Sequence, residues 1–491
     1  MADILWTKAE LADWADEIEA ELKGGLPDGV SGISIDSRSL AKGEAFFAIK
    51  GEHFDGHDYA AAAAQAGAAL LVIDRAHAAL AAKISAPCLI VADVLGALAA
   101  LGAQARARLA PQARVAAITG SVGKTTIKEM LAQVLAQFGK VHKNPASFNN
   151  HWGVPLTLAR MPRDTDYAIF EMGMNHPQEI APLAQLARPH LALISKIAAV
   201  HMAHFGSLRE IAAAKAEIFS GLEPEGIALI SRDDSQYQFL RRQAVQAGAR
   251  VYSFGASEGA DYRLTEYQET EQGSEFAIRF WNKAEAMALP AHGEHMALNG
   301  CAAAAAACEL IIPDSPNDGN NFAFKFLKYI KPIAAALGQF RPIEGRGASY
   351  DLPLPAAQGG GSFTLIDESY NANPASMRAA LANLGLGAPA RRIAVLGDML
   401  ELDDTAKAEH AALAEPLAAA KVNIAFLVGP LMLALAEKLE RGNIQFYWQE
   451  DIAGLAEKLA HMLQKGDCLM VKSSHSIQTH ALVKALREYY H

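Results

Sequence analysis

Cysteine is scarce: Cys88, Cys301, Cys308 and Cys468 are the only four, and none forms a CxxC pair or zinc-ligand spacing. That excludes a disulfide framework and predicts buried thiols in a reducing, cytoplasmic setting. A basic excess is also missing, with 44 Lys and Arg against 54 Asp and Glu and a net charge of −10. A general nucleic-acid surface is therefore not expected, because holding phosphate backbones needs a basic field. An anionic small substrate stays open wherever cations are gathered locally. No apolar run is long enough for a membrane span. The N-terminus has neither a basic n-region nor a signal-peptide core. Trp6, Leu11, Trp14 and Ile18 among acids read instead as an amphipathic helix.

What is present is a globular composition, 51% apolar and 20% charged over 491 residues. That length exceeds one ordinary core, so roughly two to four domains are expected. The Ala-rich stretch 302–307 suits close helix packing better than disorder.

The most informative stretch is Ile118-Thr-Gly-Ser-Val-Gly-Lys-Thr-Thr126. The run 113–118 reads as a buried parallel strand that stops at Gly120. A helical pattern then starts near Lys124, carried by Ile127, Met130, Leu131, Val134, Leu135 and Phe138 and ended by Gly139. A strand, a Gly-rich turn and a helix make a phosphate loop credible. Gly120 and Gly123 let backbone N–H groups close around phosphate oxygens. Lys124 supplies a cation and Thr125 a hydroxyl for Mg²⁺, and the helix N-terminus supplies a favourable dipole. The usual pattern has Gly five residues before Gly123; here that position is Ile118. The loop is an atypical nucleotide site.

Residues 1–88 read as a small α/β domain with strands at 32–36, 44–49 and 69–73. Two polar clusters break it, Asp36-Ser37-Arg38 and the run 50–57 that ends Asp55-Gly56-His57. Each follows a strand, where loops carry binding groups, though each reads equally as a solvated turn. Arg38 and Lys50 could hold phosphate. Phe46 and Phe47 could be core or could stack on a base. Residues 89–340 alternate strand and helix, the signature of a parallel sheet. Strands are expected at 167–171, 191–197 and 227–231. An antiparallel pair at 262–267 and 274–281 and an Ala-rich helix at 298–310 follow. The stretch 313–321 reads as a surface insertion. From 341 to 491 the alternation restarts, with strands at 363–366, 392–396, 424–428, 444–447 and 468–471. This Rossmann-like domain has no GxGxxG, so no dinucleotide site is assigned to it. A ligand cleft should lie between it and the central domain, since open α/β sheets bind at strand carboxyl ends.

Three residues add chemistry to the loop. Glu171 closes its strand at the edge where the phosphate loop lies, and can reach a nucleotide-bound Mg²⁺ or serve as a salt-bridged cap. His201 ends the next strand in the same sense. Lys215 falls inside an apolar stripe. Ser207-Leu-Arg-Glu210 has the form of a capping box, and Leu208, Ile211, Ile218, Phe219 and Leu222 make the face that holds it. An unpaired buried ammonium is costly. Lys215 therefore snorkels to water, is paired, or is chemically altered. A neutral amine can take up CO₂ as a carbamate.

Thr119-Gly-Ser-Val-Gly-Lys-Thr-Thr126, Glu171 and His201 with Lys215 together resemble the Mur ligases, which add amino acids to the peptidoglycan precursor. Asn149-Asn150-His-Trp-Gly-Val-Pro155, Asp367-Glu-Ser-Tyr-Asn-Ala-Asn-Pro374 and Leu396-Gly-Asp-Met-Leu-Glu-Leu402 carry the resemblance along nearly the whole chain. It implies three domains: a UDP-sugar-binding domain at 1–88, an ATP-binding domain at 89–340 and a Rossmann-like ligase domain at 341–491. It implies an acid–amino-acid ligase that uses ATP and joins a UDP-N-acetylmuramoyl tripeptide to D-alanyl-D-alanine. A monomer is expected.

Residue by residue, the resemblance implies that Ser37, Arg38 and Phe47 hold the UDP end. Asn149 and Asn150 would face the muramoyl substrate. Thr119, Gly120, Ser121, Gly123, Lys124, Thr125 and Thr126 would bind ATP phosphates. Asn299 would contact adenine, Arg346 the phosphates and Asp367 the ribose, with Tyr370, Asn371 and Asn373 nearby. Thr125 and Glu171 would ligate one Mg²⁺, and Glu171, His201 and carbamylated Lys215 a second. Lys472-Ser-Ser-His475 departs from the Lys-Gly-Ser-Arg type stretch usual in the family. Another Mur enzyme or a folylpolyglutamate synthetase would share the loop, Glu171, His201 and Lys215, but the stretches at Asn149 and Tyr370 argue against both. A regulatory nucleotide switch would share only the loop.

Overall fold

The apolar runs around the phosphate loop lie side by side as parallel strands. In the computed structural model, which describes residues 4–51, 54–145, 147–199, 205–311 and 322–490, Arg114–Thr119 sits between Tyr167–Glu171 and Leu191–Ile194. Ile227–Ser231, Arg250–Gly255 and Tyr262–Thr270 extend the sheet in parallel on one side, and Val141–Lys143 on the other. Gly273–Phe280 and Lys283–Leu289 complete a nine-stranded sheet in antiparallel sense. Strand alternation divides the core. Val115 and Ala117 face one layer of helices, while Ala116 and Ile118 face the other. Ala-rich helix Glu294–Ile311 fits the second layer because its small side chains let backbones approach; Ala302 to Ala307 are all buried.

Two further sheets flank this one. Glu21–Lys23, Cys88–Val91, Leu70–Asp74, Ala45–Phe47 and Ile33–Ser34 form a five-stranded sheet, parallel except at its Glu21–Lys23 edge. Its apolar layer runs into the central core without a break: Trp14, Phe47 and Leu70 belong to the same buried cluster as Val115 and Phe170. Trp6 Nε1 donates to Ala159 O at 2.8 Å and Trp14 Nε1 to Ala97 O at 3.1 Å. The third sheet has the order Ala348–Pro353, Ser362–Asp367, Asp467–Lys472, Arg391–Gly397, Ile424–Val428, Gln445–Gln449, with only the first strand antiparallel. Helices cover both of its faces. The chain is thus α/β with three sheet-centred domains. No helix among the described residues is long and apolar enough to cross a membrane.

Some expectations shift. Trp6 lies in a two-residue strand paired with Val30, and the N-terminal helix is Lys8–Glu17, capped by Thr7. The strands Glu21–Lys23, Lys283–Leu289 and Ala348–Pro353 have no counterpart in the sequence reading. The first is fully exposed and the second opens on Lys-Ala-Glu-Ala, so neither shows a clear apolar period; the third does bury alternate residues, Ala348 and Leu352, but mixes them with Ser, Asp and Pro. The helix carrying Lys215 is Leu208–Ala216, and Glu217–Gly221 continues as a tighter 3₁₀ turn. Leu208 is exposed, because the first helical residue faces solvent here. Ser207 accepts from Glu210 N at 3.3 Å, as a capping residue should. The stretch 313–321 and His201 fall outside the described residues.

His190 ties two central strands together. It exchanges backbone bonds with Val115, whose carbonyl takes its N–H, and its Nδ1 accepts from Val115 N at 3.0 Å. That acceptor role needs the neutral ring. Burial, followed by Arg106, Arg114 and Arg188, pushes its pKa down to about 4. A depressed histidine pKa means the unfolded chain binds the proton that the folded chain refuses. The contribution is therefore full above about pH 6.5 and is lost as pH falls toward 4. We expect the urea midpoint to drop over that window. His190→Gln should flatten part of the drop, by about 1 kcal/mol after allowing for solvent screening; an unchanged pH slope would contradict it.

Candidate nucleotide and ligation site

The carboxyl ends of the central strands open into a cavity of about 490 Å³. Its floor is the phosphate loop. Gly123 has φ 85°, and Gly120 has φ 147°. A Cβ at Gly120 would collide with Ser195 Oγ, and one at Gly123 would lie 2.7 Å from Asn299 Oδ1. Only glycine lets the turn close at both points. The helix Lys124–Leu135 then starts at the loop with its first N–H groups toward the cavity. Lys124 Nζ donates to Gly120 O at 2.7 Å, folded back over the loop. Ser121 Oγ donates to Ala198 O and lines the cavity. Thr119 is fully buried and its hydroxyl donates to Met172 O at 2.8 Å, so that side chain braces the loop from behind.

Glu171 lies level with Ile118 in the sheet register and is buried. Thr125 Oγ1 donates to its Oε2 at 2.7 Å, and Asn149 Nδ2 donates to its Oε1 at 2.8 Å. Lys128 Nζ stands 3.7 Å from Oε2, 3.3 Å from Glu129 Oε1, and donates to Asn144 O at 2.9 Å. Asn144 Oδ1 in turn accepts Glu171 N. A hydroxyl and a carboxylate converging beside a phosphate loop are hard oxygen donors, the set that suits Mg²⁺. Lys128 was not singled out in the sequence. The signal was there: it is one turn after Lys124 and three before Leu131, a cation on an apolar stripe like Lys215.

Lys215 faces the same cavity and is 2% exposed. No side chain among the described residues pairs with it. Burial, with the Lys124 ammonium adding to it, pushes its pKa well down. Desolvation thus favours the neutral amine over the ammonium.

The far wall comes from the third sheet. Arg346, Glu368, Tyr370, Asn371 and Lys472 all line the cavity opposite the loop. The Arg346 guanidinium stacks 4.0 Å over the Tyr370 ring. Lys472 is buried, donates to Asn371 O at 2.9 Å and stands 3.3 Å from Glu368 Oε2. Asp367 points away: its carboxylate accepts Gly345 N at 2.7 Å, Ser369 N at 3.1 Å and Ser369 Oγ at 2.5 Å. It is outside the cavity lining and holds the turn that presents Arg346. Asn373 caps the helix Pro374–Leu384 through Ser376. His295, Met296, Lys196 and Asp234 also line the cavity and were not expected.

Other expected residues lie elsewhere. Asn149 lines the cavity, whereas Asn150 Oδ1 accepts the N–H of Gly153 at 2.9 Å, where the helix Gly153–Ala159 begins. Ser37 and Arg38 belong to the first domain and are not part of this cavity. Arg38 is 88% exposed in its side chain and forks onto Asp36. Phe47, expected at the UDP end, is corrected to core: it is wholly buried, 5.8 Å from Trp14. Its strand is covered by apolar layers on both faces. Asp55, His57 and His77 bring ligand-type atoms within 4.8 Å. His57 has none to spare: Nε2 accepts Asp74 N, so Nδ1 carries the proton and donates to Asp55.

Residues 29–114 match the description "Mur ligase family, catalytic domain", residues 118–307 "Mur ligase middle domain", and residues 356–475 "Mur ligase, glutamate ligase domain". The chain is similar to the UDP-N-acetylmuramoyl-tripeptide--D-alanyl-D-alanine ligase of Escherichia coli (strain K12). Identity is 34% over 480 residues, 97% of this chain and 98% of that one. It also resembles the crystal structure of MurF from Acinetobacter baumannii, with a TM-score of 0.80 and 28% identity over 98% of this chain and 99% of that one. The MurF ligase of Thermotoga maritima, solved in complex with ADP, shares the fold at a TM-score of 0.73 and 23% identity, over 93% and 97% of the chains.

The Asp367 geometry makes a separable prediction. Asp367→Ala should release Gly345 and Ser369 and lower stability by about 1–3 kcal/mol. It should also weaken nucleotide binding about tenfold through a mobile Arg346. Calorimetric titration with a non-hydrolysable ATP analogue and urea denaturation check both. Weaker binding at unchanged stability would mean direct ligand contact instead.

Proposed function

The chain belongs to the Mur ligase family, and on that basis we infer that it is the ATP-dependent ligase that adds D-alanyl-D-alanine to UDP-N-acetylmuramoyl-tripeptide in peptidoglycan precursor synthesis. The observation that carries the reading is the cavity itself. A phosphate loop and an acid–hydroxyl pair face Arg346 and Lys472 from a second domain across one cavity. Joining a carboxylate to an amine in water needs an activated acyl group and a site that water does not flood.

The tripeptide carboxylate oxygen attacks the γ-phosphorus of ATP, the bond to the bridging oxygen breaks, and ADP leaves. Lys124 and the loop N–H groups hold the β- and γ-phosphates. Arg346, stacked on Tyr370, adds positive charge from the opposite side. The dipeptide amine then attacks the acyl carbon and loses a proton, and inorganic phosphate departs. Closing the third domain over the loop shields this acyl phosphate from hydrolysis.

Thr125 and Glu171 would hold Mg²⁺, with Lys215 and His201 completing a second position. Bound Mg²⁺ offsets charge on the transferring phosphoryl group. Lys215 serves there as a carbamate: its neutral amine adds to CO₂ and releases a proton, which turns an unpaired buried base into an anionic oxygen donor. The domain roles follow the three sheets, the first of which takes in Cys88–Val91 and so runs a few residues past the expected boundary at 88. Residues 1–88 take the UDP sugar through Ser37 and Arg38, and Asn149 faces the muramoyl group while Asn150 holds the same loop through Gly153 N. The ATP contacts of Ser121, Thr126, Asn299 and Asn371 are part of the same reading, as are a cytoplasmic location and a monomeric state.

Two outcomes are expected. Lys124→Ala should abolish phosphate release that depends on both the tripeptide and the dipeptide; full ligation by that variant would overturn the assignment. Lys215→Ala should be inactive and regain part of its rate with formate or acetate. It should also lose a carbamate carbon resonance that ¹³C-bicarbonate gives the native protein. Undiminished activity, or a resonance that persists, would remove the carbamate.

A further inference from the structure

A second cavity, of about 210 Å³, opens beside the first. The two share Ser121, Lys124, Asn371 and Asn373. A molecule in the second cavity therefore reaches the phosphate end of the first, where the acyl phosphate forms. On the ligase reading above, the acceptor dipeptide approaches from here with its amine toward Lys124. Its other end is a carboxylate, which loses hydration on entry and needs a cation or donors in return.

The lining of this cavity contains two basic side chains, Lys124 and His475. Lys124 is folded over the phosphate loop. His475 is free of that duty. It is exposed, and its ring stacks on His480, 5.2 Å away at 9° between planes, and lies 5.7 Å from Tyr370 at a tilt of 43°. Tyr370 carries Arg346 on its own face. The loop before the imidazole is fixed too, since Ser474 Oγ accepts Leu400 N at 2.9 Å. A ring on the cavity wall that is already packed against two others loses less freedom when it takes a ligand. Glu401 is the carboxylate on the same wall.

We propose that His475 binds the C-terminal carboxylate of the acceptor dipeptide and so sets the preference for an acceptor with a free carboxyl end. It is a specificity residue, touching a part of the substrate that does not react.

The test compares D-Ala-D-Ala with its C-terminal amide as acceptor, for the native enzyme, His475→Gln and His475→Arg. His475→Gln should raise KM for D-Ala-D-Ala about tenfold, the worth of one charge-assisted hydrogen bond. KM for ATP and for the tripeptide should not move. With the amide, native enzyme and His475→Gln should give the same KM. His475→Arg should keep KM for the free dipeptide low. An equal rise on acid and amide, or no rise on the acid, would overturn the proposal. A native enzyme that ligates neither acceptor would overturn the ligase reading itself and this proposal with it.

Discussion

The buried carboxylate of Glu171 is the point on which the site depends. Three separate pieces of chain meet at it: the phosphate-loop helix through Thr125 and Lys128, the 144–149 loop through Asn144 and Asn149, and its own strand. An ionised carboxylate out of water needs such partners. Each partner in turn gains a fixed position. The network therefore does two things at once. It pins the loop that holds phosphate to the sheet, and it keeps two oxygen donors aimed at the space where a nucleotide-bound cation belongs.

Around that centre the fold distributes labour by domain. The central sheet supplies what binds triphosphate. The third sheet supplies Arg346, Tyr370, Asn371 and Lys472, which reach the cavity from the opposite side. The first sheet shares its apolar layer with the central core, so it is joined to the central domain by packing as well as by the Trp6 and Trp14 hydrogen bonds. The third sheet keeps its own two cores. That difference is what an enzyme needs if one domain must close over substrates held by the other two.

Burial is used chemically as well as structurally. Lys215 and Lys128 both sit inside apolar stripes, yet they have different environments. Lys128 has two carboxylates and a carbonyl around it, and Glu171 and Glu129 oppose the lowering of its pKa by burial. Lys215 has no such partner among the described residues, and burial drives it toward the neutral amine. The same residue type at the same kind of position thus supports opposite roles, decided by what the neighbouring chain supplies.

The sequence alone determined the parallel central sheet, the loop-to-helix junction, the Ala-packed helix and the conspicuous burial of Lys215. Each of these is local: a run of apolar residues, a glycine where φ is positive, a cation on a helical stripe. It also carried the family, through motifs collinear over nearly the whole chain. It did not determine which side chains face the ligand. Asp367 turned inward to hold Gly345, Asn150 took up Gly153 N, and Phe47 joined the core. Lys128 was invisible as a partner of Glu171, 43 residues away in the chain. Those outcomes belong to tertiary structure, because orientation and pairing depend on which distant backbone groups arrive within about 3 Å of a side chain. Local periodicity carries no record of that arrival.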